Sequence, residues 1–171
     1  MKDKMLLRLG RKLMRAGNLR ICVVDDQQTY FNENMLAVAR AAGFSHIERY
    51  YLIDGLRLRK LLDSPPDIII LDIKGITDKS VAKDGFGIAK LMFDQTNAYV
   101  VITSAHKWYL HETHKDYDYV IEERFLTAVD FVEELQRITE RYLASKVRFW
   151  RKVVFRIGLF LAKRALVPSP R

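Results

Sequence analysis

The chain has 171 residues, 49% of them apolar and 29% charged, with a single cysteine, Cys22. That length carries one domain with a proper core, and the composition excludes both a disordered polyelectrolyte and a conventional membrane protein. The lone thiol excludes an intramolecular disulfide framework and a multi-thiolate metal site, and fits a reducing, cytoplasmic setting. The net charge of +8 is laid out in blocks, +6 over residues 1–20, −6 over 21–143 and +8 over 144–171, so an acidic body carries two basic ends.

Residues 1–18 read as a basic amphipathic extension, with Leu6, Leu9 and Leu13 on one side of a helix and Arg8, Arg11, Lys12 and Arg15 on another. The interleaved charges exclude a secretory signal. Arg20–Val24 then reads as a buried strand, Thr29–Ala42 as a helix ending at Gly43, and Ser45–Leu52 as a second strand. Asp54–Leu62 predicts a short helix stopped by Pro65 and Pro66, followed by the strand Asp67–Leu71. A helix over Phe86–Asp94, a strand over Tyr99–Thr103, a short helix over Lys107–His114, a strand over Tyr117–Ile121 and a long helix over Leu126–Leu143 complete the body. Five β/α units in about 120 residues are the size of a flavodoxin-like, doubly wound α/β domain, and the run Ile68-Ile69-Ile70-Leu71 fits a central parallel strand buried on both faces.

In a doubly wound sheet the functional site lies beyond the carboxyl ends of the strands. Asp25 and Asp26 follow the first strand and Asp72 the third, so adjacent strands bring three carboxylates together. Clustered carboxylates repel unless a hard cation offsets them, and oxygen-only ligation of this kind suits Mg²⁺. An isolated acid after a strand is more often a helix cap or a solvated turn residue; three at converging strand ends favour a cation site.

The segments Ile21-Cys22-Val23-Val24-Asp25-Asp26, Ile68-Ile69-Ile70-Leu71-Asp72, Val101-Ile102-Thr103-Ser104-Ala105 and Asp118-Tyr119-Val120 occur in an order that resembles the receiver domain of two-component response regulators, over residues 19–143. The resemblance implies a flavodoxin-like five-stranded parallel sheet of order 2-1-3-4-5. It further implies Asp72 as phospho-acceptor, Ser104 as switch hydroxyl, Tyr119 as switch aromatic, and Mg²⁺ held by Asp25, Asp26, Asp72 and the backbone carbonyl of Lys74. A histidine kinase or phosphotransfer protein would supply the phosphoryl group, and a downstream protein or a second copy of the chain would read the switch. An enzyme in the turnover sense is not implied.

Two departures stand out. The lysine expected shortly after the last strand is replaced by Glu122, followed by Glu123 where proline is usual, with Arg124 as the nearest cation that could stand in. Asp84-Gly85 arrives 13 residues after Asp72 instead of about eight, with Lys74, Lys79 and Lys83 in the added stretch. That loop reads equally as a source of a replacement cation or gate and as a surface insertion. Two functions stay open: a phosphorylatable receiver with altered switching, and a phosphorylation-independent pseudo-receiver that docks on partners. His106, His111, Glu112 and His114 lack the i,i+4 spacing of a zinc-protease helix, and Gly85-Phe86-Gly87 lacks the spacing of a dinucleotide loop.

Residues 144–171 are too few for an output domain. From Lys146 to Leu166, at 100° per residue, Phe149, Trp150, Val153, Val154, Ile157, Phe160 and Leu161 share one side, and Arg148, Arg151, Lys152, Arg156 and Lys163 the other, with Phe155 and Leu159 spoiling the polar face. Six Lys/Arg between Val147 and Val167 argue against a bilayer span. Three readings remain: attachment to an anionic membrane at its cytoplasmic face, packing of the terminal helices on each other or on a second protomer, and a simple extension of the last helix. Sequence-specific nucleic acid binding is disfavoured, since no reading helix or stacking platform is evident.

Overall fold

Unbroken burial along the central strands sets the architecture. The computed structural model describes residues 18–103, 116–121 and 127–165, from 147 onward as helical backbone. Strands β1 (Arg20–Val24), β2 (His46–Tyr50), β3 (Ile68–Asp72), β4 (Tyr99–Thr103) and β5 (Tyr119–Ile121) alternate with helices α1 (Glu33–Ala41), α2 (Gly55–Asp63), α3 (Gly85–Gln95) and α4 (Ala128–Ala165). The sheet has the order β2-β1-β3-β4-β5 with every pairing parallel, as expected. The predicted helix over Lys107–His114 lies outside the described residues.

β3 and β4 are buried at every position because helices cover both faces of the sheet. Ile68 and Ile70 point into one layer with Leu36, Phe31, Phe131 and Ile138 under α1 and α4. Ile69 and Leu71 point into the other, with Ile53, Ile76, Ile88 and Met92 under α2 and α3. Cys22 is fully enclosed in that second layer and burial pushes its thiol pKa up, so it is a packing residue and no nucleophile.

Three helices start on side-chain caps: Asn32 accepts from the Met35 N–H at 3.0 Å, Asp54 from Arg57 at 2.8 Å and Asp84 from Gly87 at 3.1 Å. The first of these corrects the expected helix start at Thr29. The chain turns over residues 27–30, the Tyr30 N–H donating to the Gln27 carbonyl at 3.3 Å, which seats Phe31 in the core with its ring 5.2 Å from that of Phe131, and Asn32 then caps. β5 likewise begins at Tyr119 and not at Tyr117, since the Asp118 carboxylate turns back to accept from the Val100 N–H at 2.8 Å.

The two helical patterns expected at Leu126–Leu143 and beyond Lys146 form one continuous helix, α4, of 38 residues. No glycine or proline separates them, and the helix has no reason to stop. It runs antiparallel to the strands and passes their N-terminal ends at Tyr142, whose hydroxyl donates to Asp67 at 2.9 Å, and at Lys146, which donates to the Asn97 carbonyl at 3.2 Å. No described helix is long and apolar enough to cross a membrane.

Burial raises the Asp118 carboxyl pKa, against the opposing pull of the Val100 N–H and Lys146. A carboxyl whose folded pKa is raised contributes stability below its unfolded pKa and loses it as pH rises through the folded value. Asp118→Asn, which can still accept from Val100, is therefore expected to be more heat-stable than the parent chain near neutral pH. The gap should close as the buffer is taken below about pH 4, where both states of the parent carboxyl are protonated. Thermal unfolding across that range reads it.

Candidate functional site

The carboxyl ends of β1 and β3 bring the three predicted acids together. Asp25 directly follows β1, Asp26 is next in the chain, and Asp72 is the last residue of β3. One carboxylate oxygen from each lies within 4.8 Å of the other two. Asp25 is 1% exposed and Asp72 6%, while Asp26 faces solvent. Two are thus fixed by packing, and the third leaves an open approach.

Local hydrogen bonds aim the buried pair. The Gln27 N–H donates to Asp25 Oδ1 at 2.7 Å, and the Ile73 N–H donates to Asp72 Oδ1 at 2.8 Å. At Gly75 the backbone is left-handed, φ +74°, and an added Cβ would overlap the Asp26 carboxylate. Only glycine lets the chain after Lys74 press against that acid. The exposed Lys74 therefore precedes a turn that lies against the cluster. All donors are hard oxygens on a partly open rim, a set that fits a small divalent cation keeping several waters.

The long loop after Asp72 is stapled down. Ile53 bridges Thr77, its N–H donating to the Ile76 carbonyl at 2.6 Å, and Ile73 and Ile76 are buried in the core. Asp84-Gly85 then returns beside β3, with the Gly85 N–H donating to the Ile73 carbonyl at 2.8 Å. Of its lysines, Lys74, Lys79 and Lys83 all face solvent.

Sequence reasoning missed Arg49. In β2 it pairs with Val23 of β1, and its side chain is only 4% exposed. The guanidinium donates to the carbonyls of Phe31 at 2.6 Å, Asp25 at 3.2 Å and Gln27, stands 4.0 Å from Asp25 Oδ1, and lies 4.3 Å from the Tyr51 ring centroid. Its Nε is buried without a partner. The available signal was period: Ile47 and Arg49 alternate on one face of β2, so an arginine occupied a core-facing position beside the acidic pair.

Thr103 ends β4 directly beside Asp72 in the parallel register. The predicted switch hydroxyl, Ser104, is the next residue and lies outside the described residues, as do Glu122, Glu123, Arg124, His106, His111, Glu112 and His114. Tyr119 opens β5 opposite Val101. Its hydroxyl donates to Glu134 on α4 at 2.8 Å, and the Arg141 guanidinium sits 4.6 Å from its ring. Burial, and then the bond to Glu134, push its phenol pKa up. Arg137, 2.6 Å from the other Glu134 oxygen, offsets that buried charge.

A parallel sheet of order 2-1-3-4-5 with acids clustered at the β1 and β3 ends is the receiver architecture. No family model matches the sequence, and no curated protein matches it. Among solved structures, NtrX from Brucella abortus in complex with ATP superposes with a TM-score of 0.58 at 22% identity over 80% of this chain. This chain spans 29% of that one, and the isolated receiver domain of NtrX matches at a TM-score of 0.54 and 22% identity, over 72% of this chain and 98% of that domain. A LuxR-family DNA-binding response regulator from Staphylococcus aureus gives 0.50 at 17% identity, over 70% and 98%. The chain has the receiver-domain fold.

Proposed function

We propose that the chain is a phosphorylatable receiver of two-component signalling, not a turnover enzyme, that accepts a phosphoryl group on Asp72 from a histidine kinase, a phosphotransfer protein or a small phosphodonor. The observation that carries this reading is the convergence of Asp25, Asp26 and Asp72 within 4.8 Å at adjacent strand ends. An Asp72 carboxylate oxygen forms the new bond to phosphorus as the bond from phosphorus to the donor's imidazole nitrogen, or to the acetyl oxygen of acetyl phosphate, breaks. Asp25 and Asp26, with Asp72 and the Lys74 carbonyl, would hold Mg²⁺, which supplies charge stabilisation for the phosphoryl oxygens. The Ile73 N–H fixes the acceptor side chain, and Ser104, one residue past Thr103, would donate to the transferred group. Tyr119, already tied to α4 through Glu134, would carry the change to a protein partner or a second copy of the chain.

Intact-mass and peptide mass spectrometry after incubation with acetyl phosphate and Mg²⁺ tests it, with Asp72→Asn as control. An acyl phosphate confined to Asp72 is expected. Its absence, with donor kinases as well, overturns the reading in favour of a phosphorylation-independent docking module.

Glu122 sets the expected weakness of the switch. A charge-assisted hydrogen bond contributes about 1.5–3 kcal/mol, so an anion at the usual lysine position biases the switch toward its resting state at least tenfold. Glu122→Lys is expected to tighten beryllofluoride, a stable mimic of aspartyl phosphate, by about tenfold in a fluorescence titration. Unchanged affinity would show that Glu122 does not occupy the lysine's place.

A further inference from the structure

Both basic ends of the chain meet the domain at one pole, and a single carboxylate ties them there. Asp67, just before β3, accepts the Arg20 backbone N–H on Oδ2 at 3.0 Å and the Tyr142 hydroxyl on Oδ1 at 2.9 Å. Arg20 is where the N-terminal segment enters β1, and Tyr142 is where α4 passes the strand N-termini before running on to Ala165. The 19 residues from 147 to 165 add about 28 Å of helix beyond that point. The +6 of residues 1–20 and the +8 of residues 144–171 are therefore attached side by side. The carboxylate cluster occupies the opposite pole, at the other ends of the same strands.

We infer that the pole at Asp67 docks the protein on an anionic lipid surface, with the Asp25/Asp26/Asp72 pole turned toward the aqueous phase. Two segments of like charge attached at one pole repel each other, and an external layer of anions removes that repulsion. A second copy set pole to pole brings the same sign and aggravates it. The region 144–171 contains no Asp or Glu to pair with a neighbouring tail. Nucleic acid would satisfy the charge and leave the arc of Phe149, Trp150, Val153, Val154, Ile157, Phe160 and Leu161 facing polyphosphate. A lipid interface takes both, cations at the headgroups and aromatic and aliphatic side chains at the acyl boundary. The same helix explains the geometry: α4 is pinned to the body by Tyr142 and Lys146, so lipid bound beyond them orients the whole domain.

The full chain should be sedimented with vesicles of phosphatidylcholine alone and of phosphatidylcholine with about one-third phosphatidylglycerol. Binding to the second only, weakening with salt, is expected. The charge reversal Arg148→Glu/Arg151→Glu/Lys152→Glu should lower partitioning by at least about a hundredfold, since each cation lost near the surface forfeits a roughly fivefold gain and each added carboxylate is repelled. In a Trp108→Phe background, the remaining Trp150 should shift its emission to the blue on the anionic vesicles and be quenched by brominated lipid. That readout needs no truncated or refolded variant. Equal pelleting with both vesicles, pelleting with neither, or an unshifted Trp150 overturns the inference. A concentration-dependent dimer lost in the charge-reversed chain without lipid would assign the pole to a second copy. Tight, salt-sensitive binding of duplex DNA with no vesicle binding would assign it to nucleic acid. None of these outcomes depends on whether Asp72 accepts phosphate.

Discussion

Replacing Arg49 by methionine is expected to lower the stability of the domain by about 3 kcal/mol while increasing its response to Mg²⁺. Methionine keeps much of the volume, so the loss is polar. Carbonyls of Phe31, Asp25 and Gln27 lose a buried donor, and the Asp25 carboxylate loses a cation 4.0 Å away. For a chain of this size a loss of about 3 kcal/mol lowers the melting temperature by about 6–12 °C. The second effect has the opposite sign. Arg49 already offsets part of the charge that a divalent cation would neutralise, so its removal leaves the acids more dependent on that cation. The thermal shift on adding Mg²⁺ should be larger for Arg49→Met than for the parent chain, because a ligand that binds only the folded state stabilises by an amount that grows with its affinity. Scanning calorimetry with and without Mg²⁺ measures both. An unchanged melting temperature would show that the three carbonyls find other donors, and an unchanged Mg²⁺ shift would show that Arg49 does not act on the cation site.

The contrast between Asp72 and Arg49 shows what was legible in the chain. Asp72 closes an unbroken apolar run, and such a run is a local signal of a strand buried on both faces, so the strand and the acid at its end were both readable. Arg49 needed the register of β2 against β1, which is a pairing between residues 26 apart. The loop after Asp72 posed the same difficulty. Ile73 and Ile76 look like isolated apolar residues among lysines, and only the bridge to Ile53, far back in the chain, reveals that the loop closes down, with Ile73 buried and Ile76 in the layer under α2 and α3. The helix start moved from Thr29 to Glu33 for a related reason. Thr29 is a competent cap by type, but the chain turns there, Tyr30 donating to the Gln27 carbonyl, so that Phe31 is buried and Arg49 clasps the carbonyls of Gln27 and Phe31. Continuity of α4 past Leu143 was only one of three open readings, although nothing between Leu143 and Lys146 breaks a helix. The common end of the domain to which both basic segments attach was not legible, because it depends on the bonds that Asp67 makes to Arg20 and Tyr142.

Gly85 carries the other large effect. A Cβ there would drive into the backbone carbonyl of Asp72 and the α-carbon of Ile73, and neither can swing away as a flexible side chain would. These atoms are the last residue of β3 and the one after it, and β3 is paired on both sides by β1 and β4. Gly85→Ala must therefore either lift α3 off the sheet, breaking the 2.8 Å bond from its N–H to Ile73, or push Asp72 out of line with Asp25. Overpacking against fixed backbone of this kind costs about 3 kcal/mol, a fall of about 6–12 °C in melting temperature. Gly55 makes the internal control. It also opens a helix, but a Cβ there meets nothing within 4 Å, so Gly55→Ala is expected to leave stability unchanged or raise it by up to about 1 kcal/mol. The same one-methyl change thus has opposite signs at two helix starts. What separates them is only that one helix begins against the strand that ends at Asp72. If Gly85→Ala melts with the parent chain and shows the same response to Mg²⁺, the close approach of α3 to Asp72 is not what holds that carboxylate in line with Asp25.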